Sequence, residues 1–285
     1  MGKFYQEKDM LFQNYKLGIP SGFDLPLRDG GVKDFFGYGS YVGAAQTFGR
    51  FVTYPFPKLL ESCVGVRSLN MGITGSGIKK FLDSKWVIDT INQGKFCVLQ
   101  VMSGRSTSNS LFHYRTDEWR GTSGIKNTLI GKYELAEDAW DYVFKNKTKK
   151  EVINLIEETR KNYVNEYKEF ISKINVPIIL LWFSVRDLNY EMNFNYGINE
   201  VIGSYPHLVN KSMVDKISNK CQAFVEVNDD TGLPQDLFHI STLEKLDRVP
   251  GDPRSISTQN EYYPSPEMHM MCAYQLAPVI REIIK

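Results

Sequence analysis

The side chains best placed to do chemistry begin just after Gly43, where a short apolar stretch ends. A loop in this position would lie at the carboxyl edge of a sheet, where open α/β folds bind ligands. Gln46, Thr47 and Arg50 follow within the loop. We expect Gln46 and Arg50 to contact a substrate or an anion, because an arginine beside such a loop can hold a negative charge. The Thr47 hydroxyl is a candidate catalytic group in the same cleft, with bracing of the loop as its alternative.

The loop has no hydroxyl or thiol side chain directly after Gly43 that could act as a nucleophile. Covalent acyl transfer requires a hydroxyl or a thiol that is activated by a nearby base. Ala44 and Ala45 stand at the two positions after Gly43. The amide of Ala45 can still donate a hydrogen bond to a developing oxyanion. The loop therefore predicts an anion or oxyanion site without a strong nucleophile.

Two later loops carry polar residues toward the same edge. Asn70 and Gly72 follow the second apolar stretch, in a glycine-rich turn whose amides can approach a ligand closely. Ser103, Arg105 and Asn109 follow the third apolar stretch. Because loops on a rigid scaffold often carry function, we expect Asn70, Ser103 and Arg105 to bind a substrate or an anion. We expect the Gly72 amide and the Asn109 side chain to serve catalysis.

His269 is the candidate general base, because it lies at the start of the final helical stretch. Glu261 or Glu267 is near enough in sequence to orient it, and a packed core histidine is the alternative. The other three histidines have no paired spacing, so we expect no metal site. The 4 cysteines lie far apart and include no C-x-x-C pair, which predicts free thiols.

Apolar runs of strand length alternate with helical stretches, and a polar loop follows most of the runs. The runs cover residues 41–43, 66–70, 96–102, 178–183 and 223–227. The clearest helix covers residues 149–173, where apolar residues recur at helical spacing. Continuous apolar strands are typical of parallel sheets that are buried on both faces. The sequence therefore predicts a three-layer α/β/α fold with a mostly parallel sheet.

The composition is that of an ordinary globular protein. The chain has 285 residues, of which 42% are hydrophobic and 24% are charged. We predict a single α/β domain over residues 1–285, with an N-terminal arm over about residues 1–40 and a lid or insertion over about residues 110–150. A formal charge of +1 argues against a nucleic-acid partner. The chain has no apolar leader and no apolar stretch of about 18 residues, which predicts a cytoplasmic protein without membrane contact.

Residues 43–49 read Gly-Ala-Ala-Gln-Thr-Phe-Gly. They resemble the first sequence block of the SGNH (GDSL-type) hydrolase superfamily, in which the serine of Gly-Asp-Ser is the nucleophile. Residues 70–72, together with Gly75, resemble the second block, whose glycine amide serves the oxyanion hole. Residues 101–109 occupy the place of the third block, which supplies an asparagine to the same hole. The resemblance places Ala45 at the serine position, so covalent catalysis by that residue is impossible.

The last block of that superfamily supplies Asp-x-x-His before a helix. Residues 260–263 occupy this place, with Tyr263 where the histidine would be. His269 lies later, inside the helical stretch. The chain is also similar to a little-characterised bacterial family that shares the Gly-x-x-x-Thr-Tyr/Phe-Gly-Arg-Phe-Val opening, the Asn-x-Gly turn and a terminal helix that begins around a histidine.

The resemblance implies an SGNH/flavodoxin-like fold and an ester hydrolase or O-acyltransferase with an altered or lost serine nucleophile. Its substrate would be small or carbohydrate-linked, and no cofactor would be needed. We expect the Ala45 and Gly72 amides and the Asn109 side chain to converge on one point, with His269 facing them. Two alternatives stay open. A sulfotransferase-like or other group transferase would use a phosphoadenosine-type nucleotide, and a non-catalytic module would only bind its ligand.

Overall fold

A computed structural model describes residues 9–10, 13–23, 26–30, 37–114, 124–249 and 257–285 of the chain. The strands are β1 (Gly39–Gly43), β2 (Ser68–Gly72), β3 (Phe96–Gln100), β4 (Phe112–Tyr114), β5 (Gly124–Asn127), β6 (Lys132–Leu135), β7 (Ile178–Ser184), β8 (Ala223–Asn228), β9 (Gln235–Asp236) and β10 (Gln259–Asn260). The α-helices are α1 (Ala45–Phe48), α2 (Phe56–Val64), α3 (Ile78–Leu82), α4 (Lys85–Asn92), α5 (Ala136–Asn146), α6 (Lys149–Ser172), α7 (Ile198–Ile202), α8 (Lys211–Ser218) and α9 (Pro266–Ile283).

The centre of the molecule is a five-stranded sheet in the order β2-β1-β3-β7-β8, in which every neighbouring pair is parallel. The strand order reverses at β1 and β3, because β2 lies on one side of β1 and the later strands lie on the other. Open α/β sheets bind ligands outside the carboxyl ends of their strands at such a switch point. The prediction of a three-layer α/β/α fold with a mostly parallel sheet is confirmed.

Both faces of the inner strands are buried because their side chains alternate between two helix layers. In β3, Cys97 and Leu99 pack in the core formed with α3, α4, α6 and α8. Phe96 and Val98 pack in the core formed with α2 and α9. Successive side chains of a strand point to opposite faces of the sheet. A continuous apolar run is therefore what a strand covered on both faces requires.

Helix α6 fixes the end of β3 as the chain leaves for the carboxyl edge. It begins with a capping box at Thr148, which ends the preceding loop. Its Tyr163 hydroxyl donates to the Met102 carbonyl at 2.7 Å, and its Tyr167 hydroxyl donates to the Gln100 carbonyl at 2.8 Å. The apolar residues that recur along this helix are part of the core, and two of its buried tyrosine hydroxyls hold the strand end.

A small antiparallel sheet of β4, β5 and β6 precedes α5. Phe112, Ile125 and Trp140 from these elements share a core with α7 and the first turns of α6. These elements fall within the predicted lid or insertion, of which residues 115–123 lie outside the described ranges. The predicted N-terminal arm is likewise described only in part. The assignment of both to a single domain stays a prediction.

The helices in the described ranges include none that is long and apolar enough to cross a membrane. The longest of them, α6, carries lysine and glutamate residues between its buried positions. The cytoplasmic location and the lack of membrane contact stay predictions.

Candidate functional site

A cleft with a volume of about 680 Å³ opens at the carboxyl edge of the main sheet. This volume is in the usual range for small-molecule sites, roughly 300–1,000 Å³. The loops after β1, β2, β3 and β7 contribute to the wall, together with the start of α5 and the segment before α9. The lining residues discussed below are Ala45, Gln46, Arg50, Gly75, Ser76, Ser103, Arg105, Glu137, Glu200, Tyr205, His207, Glu261, Tyr262 and Tyr263.

Gln100, the last residue of β3, holds the loop after β1 in place. Its side-chain oxygen accepts hydrogen bonds from the Ala44 amide at 2.9 Å and from the Thr47 hydroxyl at 2.7 Å. A Cβ on Gly43 would lie 2.1 Å from that hydroxyl oxygen and 2.3 Å from the Gln100 oxygen, so the site requires glycine. Thr47 is buried and does not line the cleft. The expectation of a catalytic Thr47 is therefore corrected, because its hydroxyl braces the loop.

Gln100 also orients one wall of the cleft. Its Nε2 donates to the Tyr205 hydroxyl at 2.8 Å and, at 3.4 Å, to the Gln46 side-chain oxygen. Ser184, at the end of β7, donates its hydroxyl to the Tyr205 carbonyl at 2.6 Å. These contacts join the ends of β3 and β7 to the loop after β1. Gln46 lies in the lining, at the place predicted for a substrate-binding residue, and Ala45 lies beside it.

Arg105, His207 and Ser103 form a directed chain of hydrogen bonds. Arg105 Nη1 lies 3.3 Å from His207 Nε2, and His207 Nδ1 lies 3.0 Å from Ser103 Oγ. A guanidinium has only donors, so His207 Nε2 accepts and the proton of the neutral ring is assigned to Nδ1. His207 then donates to Ser103, whose oxygen also accepts from the Arg105 amide at 3.4 Å. The Ser103 hydroxyl proton is left for an acceptor outside this chain.

The imidazole of His207 is kept neutral by its surroundings. Burial lowers its pKa well below 6.5, and the positive charges of Arg105 and Arg186 lower that pKa further. A histidine that takes a proton from serine is normally stabilised as a cation by a carboxylate on its far nitrogen. His207 has an arginine there instead. The arrangement makes Ser103 a hydrogen-bond donor rather than a nucleophile.

The loop that carries His207 is fixed by two arginines. Arg186 Nη2 donates to the Pro206 carbonyl at 2.8 Å. Arg160 Nε donates to the Leu208 carbonyl at 2.9 Å. Because backbone carbonyls in such a loop have no strand or helix partners of their own, these charged donors satisfy them. The residues directly before and after His207 are therefore both fixed, and this fixes the position of the imidazole.

Arg105 is also supported by the start of α5. The Trp140 indole nitrogen donates to the Arg105 carbonyl at 2.9 Å, and the Glu137 carboxylate lies 4.0 Å from the guanidinium. The Nε atom of Arg105 is buried and has no hydrogen-bond partner among the described residues. A buried donor without a partner costs free energy. Arg105 thus keeps one guanidinium donor that no described residue uses.

Arg50 lines the cleft, but its guanidinium is already paired. Its Nε and Nη2 donate to the two carboxylate oxygens of Asp9 at 2.8 and 3.0 Å, and its Nη1 donates to the Tyr263 hydroxyl at 2.9 Å. The side chains of Arg50 and Asp9 are 4% and 0% exposed. The expectation that Arg50 binds an anionic ligand is therefore corrected: its anion is Asp9, in the predicted N-terminal arm.

Tyr262 supplies exposed aromatic surface in the cleft. It is 46% exposed. Its ring stands nearly perpendicular to those of Tyr205 and Tyr263, with centroid distances of 6.4 and 4.9 Å. Burial raises the pKa of the Tyr262 hydroxyl to about 12. An exposed tyrosine in a cleft can pack its ring against an apolar face of a ligand.

Asn109 does not face the cleft, contrary to the expectation from sequence. Its Nδ2 donates to the Thr159 hydroxyl at 2.9 Å. Its Oδ1 accepts from the amides of Leu111 and Phe112 at 2.9 and 2.7 Å. This is the turn-forming role in which an asparagine side chain bonds to the backbone just after it. The loop after β3 instead presents Ser103, Arg105 and Ser106 to the cleft.

The turn after β2 presents Gly75 and Ser76 to the cleft rather than Asn70 and Gly72. The Gly72 amide donates to Asn70 Oδ1 at 2.9 Å, so this amide is not available to an oxyanion. Asn70 Nδ2 donates in turn to the backbone of α1. A Cβ on Gly72 would lie 2.2 Å from the Phe48 amide nitrogen, which explains the glycine by close packing. The expected ligand contacts of Asn70 and Gly72 are corrected.

His269 is part of the core and does not line the cleft. Its Nδ1 accepts from the Phe56 amide at 3.1 Å, and its ring stacks on Phe56 with centroids 5.8 Å apart. Burial, followed by the positive charge of Arg28, lowers the pKa of His269 to about 3. A group with so low a pKa is a weak base at neutral pH. The expectation that His269 faces the cleft is corrected.

The expected acyl-transfer geometry is therefore not assembled. Of its members, Ala45 lies in the cleft, and Tyr263 lies there at the place that the resemblance gives to the catalytic histidine. Ala45 has no reactive group, and the Tyr263 hydroxyl accepts a hydrogen bond from Arg50. Within the described ranges, no group of three or more His, Cys, Asp or Glu side chains is placed to hold a metal ion.

Sequence reasoning missed Gln100, Tyr205 and His207. Gln100 had a signal, because it is the polar residue that closes the apolar run of β3. The spacing of residues in the sequence gave no indication that Tyr205 and His207 line the cleft. Their positions depend on Arg186, whose contacts cross 18 to 23 residues of chain.

Comparisons with known proteins give a family without a stated activity. The family described as Domain of unknown function (DUF6473) matches residues 28–120 and 144–284. A search of curated proteins finds no match. A solved structure titled "BT4096 a gut microbial diltiazem-metabolizing enzyme" is similar at 11% identity and a TM-score of 0.42, over 87% of this chain and 48% of that one. This chain therefore spans about half the length of that enzyme. A protein from Lactobacillus plantarum is similar at 13% identity and a TM-score of 0.37, over 88% of this chain and 99% of that one.

Proposed function

The chain belongs to the DUF6473 family, and we propose that its cleft is a binding site for a small anionic ligand on a frame that resembles the SGNH hydrolases. The observation that carries this proposal is the chain from Arg105 through His207 to Ser103. Its hydrogen bonds run from the Arg105 guanidinium through His207 to Ser103, so it ends in a hydroxyl whose proton none of these bonds uses, and Arg105 Nε has no partner among the described residues. Hydrogen bonds from charged or polarised donors to an anion are stronger than neutral ones.

The residues at the positions expected to carry out serine catalysis are not suited to form an acyl-enzyme, which favours a binding function. Ala45 has no nucleophile, and Tyr263 accepts a hydrogen bond from Arg50 at 2.9 Å where a base would be needed. His269 is buried elsewhere, with its pKa lowered to about 3 by burial and then by Arg28. The cleft does contain hydrogen-bond donors for a negatively charged group, the Ser103 hydroxyl and the Arg105 guanidinium. Such donors bind an anion without any covalent step.

The test is thermal unfolding in sodium sulfate or sodium acetate, compared with sodium chloride at the same ionic strength. A ligand present at 100 times its Kd stabilises the native state by about 2.7 kcal/mol, which is roughly 5 °C for a chain of this size. We expect at least one anion to raise Tm in the unaltered chain, and Arg105→Gln and Ser103→Ala to lose most of that rise. Arg67→Gln is the matched control, because Arg67 is exposed at the opposite edge of the sheet, just before β2. A rise that survives Arg105→Gln, or no rise with any anion, would overturn the proposal.

A second candidate is the ester hydrolase or O-acyltransferase that acts on a small or carbohydrate-linked substrate. It is favoured by the 3.0 Å distance between Ser103 Oγ and His207 Nδ1. Ser103 would bond to the acyl carbon, the ester C–O bond would break, and the serine proton would pass through His207 to the leaving alcohol. Water in the hydrolase, or a second alcohol in the transferase, would then bond to the acyl carbon, the bond to Ser103 would break, and the proton of the water or alcohol would pass through His207 back to the serine. Arg105 would first have to release His207 Nε2 so that Nδ1 could accept. Turnover of acetyl or short acyl esters that Ser103→Ala abolishes would establish this chemistry.

The nucleotide-dependent transferase makes a different prediction for the same thermal assay. A phosphoadenosine-type nucleotide at millimolar concentration would raise Tm by more than sulfate does. An equal or smaller effect would remove that alternative, and the anion site would stand without it.

A further inference from the structure

The charges that line the cleft limit the anion it can accept. Of the described residues in the lining, two are arginines, Arg50 and Arg105, and three are glutamates, Glu137, Glu200 and Glu261. The Arg50 guanidinium is bonded to both carboxylate oxygens of Asp9. A di- or triphosphate would therefore meet one available arginine and three carboxylates. A ligand with a single negative charge suits this wall better, because like charges in a partly desolvated cleft repel strongly.

The same carboxylates are suited to hydroxyl groups of a ligand. An ionised carboxylate only accepts hydrogen bonds, and a hydroxyl-rich molecule offers many donors. Gln46 lies in the lining, and its side-chain oxygen accepts from Gln100 Nε2 at 3.4 Å. This is a long hydrogen bond, which a ligand hydroxyl at a shorter distance could replace. The polar part of the cleft therefore matches a ligand with one anionic group and several hydroxyls.

An exposed aromatic ring completes the pattern. Tyr262 is 46% exposed while its neighbours Tyr205 and Tyr263 hold its ring nearly perpendicular to their own. Such a ring packs well against the C–H face of a pyranose, or against a nucleobase. The lining charges decide between these two, since the common nucleotides carry two or more negative charges.

We infer that the ligand is a pyranose ring that carries one singly charged group, a carboxylate or a sulfate ester. The charged group would lie at the Ser103 hydroxyl and the Arg105 guanidinium. The ring would pack on Tyr262, and its hydroxyls would donate to Glu137 and Glu261. This inference rests on the proposed anion site and names the class of molecule that the site takes.

The experiment is calorimetric titration of the full chain with glucuronate, galacturonate, galactose 6-sulfate, galactose and acetate at one ionic strength. We expect at least one of the charged sugars to bind tenfold or more tightly than both galactose and acetate. The comparison of the uronates with galactose 6-sulfate decides between carboxylate and sulfate ester. Adenosine 5′-monophosphate and 3′-phosphoadenosine 5′-phosphate are included as nucleotide probes.

Variants separate the ring from the charge. Tyr262→Ala is expected to weaken charged-sugar binding at least fivefold and to change acetate binding less than twofold, whereas Tyr262→Phe keeps the ring and the affinity. Arg105→Gln is expected to weaken both kinds of ligand. Tyr274→Ala is the matched control, because Tyr274 is 77% exposed on α9 and does not line the cleft.

The outcomes distinguish this inference from the proposed function. Charged sugars that bind no more tightly than acetate would overturn the ligand class and leave the anion site standing. Tighter binding of either nucleotide, or loss of charged-sugar affinity in Tyr262→Phe, would also overturn it. Binding of none of these anions would remove the proposed anion site itself.

Discussion

Gly43 shows how one residue without a side chain sets the shape of the cleft. The space that its Cβ would fill is taken by the hydroxyl of Thr47 and the amide oxygen of Gln100. Those two groups bond to each other at 2.7 Å. A side chain at this position would therefore break a buried polar contact as well as overfill the packing.

We predict that Gly43→Ala lowers the free energy of unfolding by about 1–3 kcal/mol or more, the cost of forcing atoms into a filled core. Gly77→Ala is the matched control, because the nearest atom to its added Cβ, the Ser103 carbonyl oxygen, is 4.0 Å away. Its effect should be within about 0.5 kcal/mol. Urea unfolding midpoints of the three proteins measure both effects. Equal midpoints for Gly43→Ala and Gly77→Ala would contradict the packing that we describe.

A second prediction at this scale concerns Ala45. Restoring a serine there supplies a hydroxyl but no base, since Tyr263 occupies the nearby position and His269 is bonded to the Phe56 amide. We expect Ala45→Ser to leave the rate of hydrolysis of p-nitrophenyl acetate within about threefold of the unaltered chain, far from the factor of roughly 10²–10⁴ that a positioned base contributes. The same assay on Ala45→Ser with Ser103→Ala controls for Ser103. A burst of product from Ala45→Ser alone would show that a base reaches this position.

At the scale of elements, the loop after β1 is tied to the N-terminal part of the chain by one buried ion pair. Asp9 meets Arg50 with both carboxylate oxygens, and Arg50 reaches on to Tyr263 in the wall of the cleft. Tyr15 adds a hydrogen bond to Asp9 at 3.2 Å. The pair therefore joins three segments that are distant in sequence.

We predict that Asp9→Asn destabilises the fold by about 3–5 kcal/mol, because it removes the carboxylate charge that meets the buried guanidinium of Arg50. Asp89→Asn is the matched control: its partner Lys85 is 87% exposed, and exposed pairs contribute about 0–1 kcal/mol. Chemical unfolding of both variants at neutral pH gives the comparison. Similar small losses in the two variants would mean that Asp9 does not neutralise Arg50 in solution.

Strands and helices could be predicted from this sequence where the spacing of apolar residues reflects which of their faces are buried. The apolar run of β3 predicts a strand with helices on both faces, and Cys97 and Val98 indeed point to opposite cores. Side-chain direction in the loops has no such pattern. Asn109 turns back to the amides of Leu111 and Phe112, whereas Arg105, four residues earlier, stays at the cleft. Which of the two faced the cleft depended on contacts with α5 and α6 that spacing does not reveal.

At the scale of the whole molecule, the two buried histidines make stability depend on pH. His269, on α9, packs against Phe56 of α2 and Phe183 of β7, and His207 lines the cleft. Burial, with a further contribution from nearby arginines, lowers the pKa of both below 6.5. In each case the folded state binds fewer protons than the unfolded state over the interval between the two pKa values. Their contribution to stability is therefore complete above about pH 6.5 and is lost as pH falls.

We predict that the free energy of unfolding falls by about 1.4 kcal/mol per pH unit for each of these histidines as pH decreases below 6.5. For His269 the loss amounts to about 2 kcal/mol at pH 5, and it continues down to the folded pKa of about 3. The Glu166 carboxyl, whose pKa burial raises to about 7, contributes with the opposite sign over the same pH range, so the test is a difference between proteins. Urea unfolding from pH 7.5 to pH 4.5 is measured for the unaltered chain, His269→Phe and His207→Phe. Each variant should show a slope that is shallower by the contribution of its missing histidine, whatever its stability at pH 7.5. Curves for His269→Phe that run parallel to the unaltered chain would mean that His269 takes up its proton without leaving the fold, and that the packing against Phe56 is not rigid.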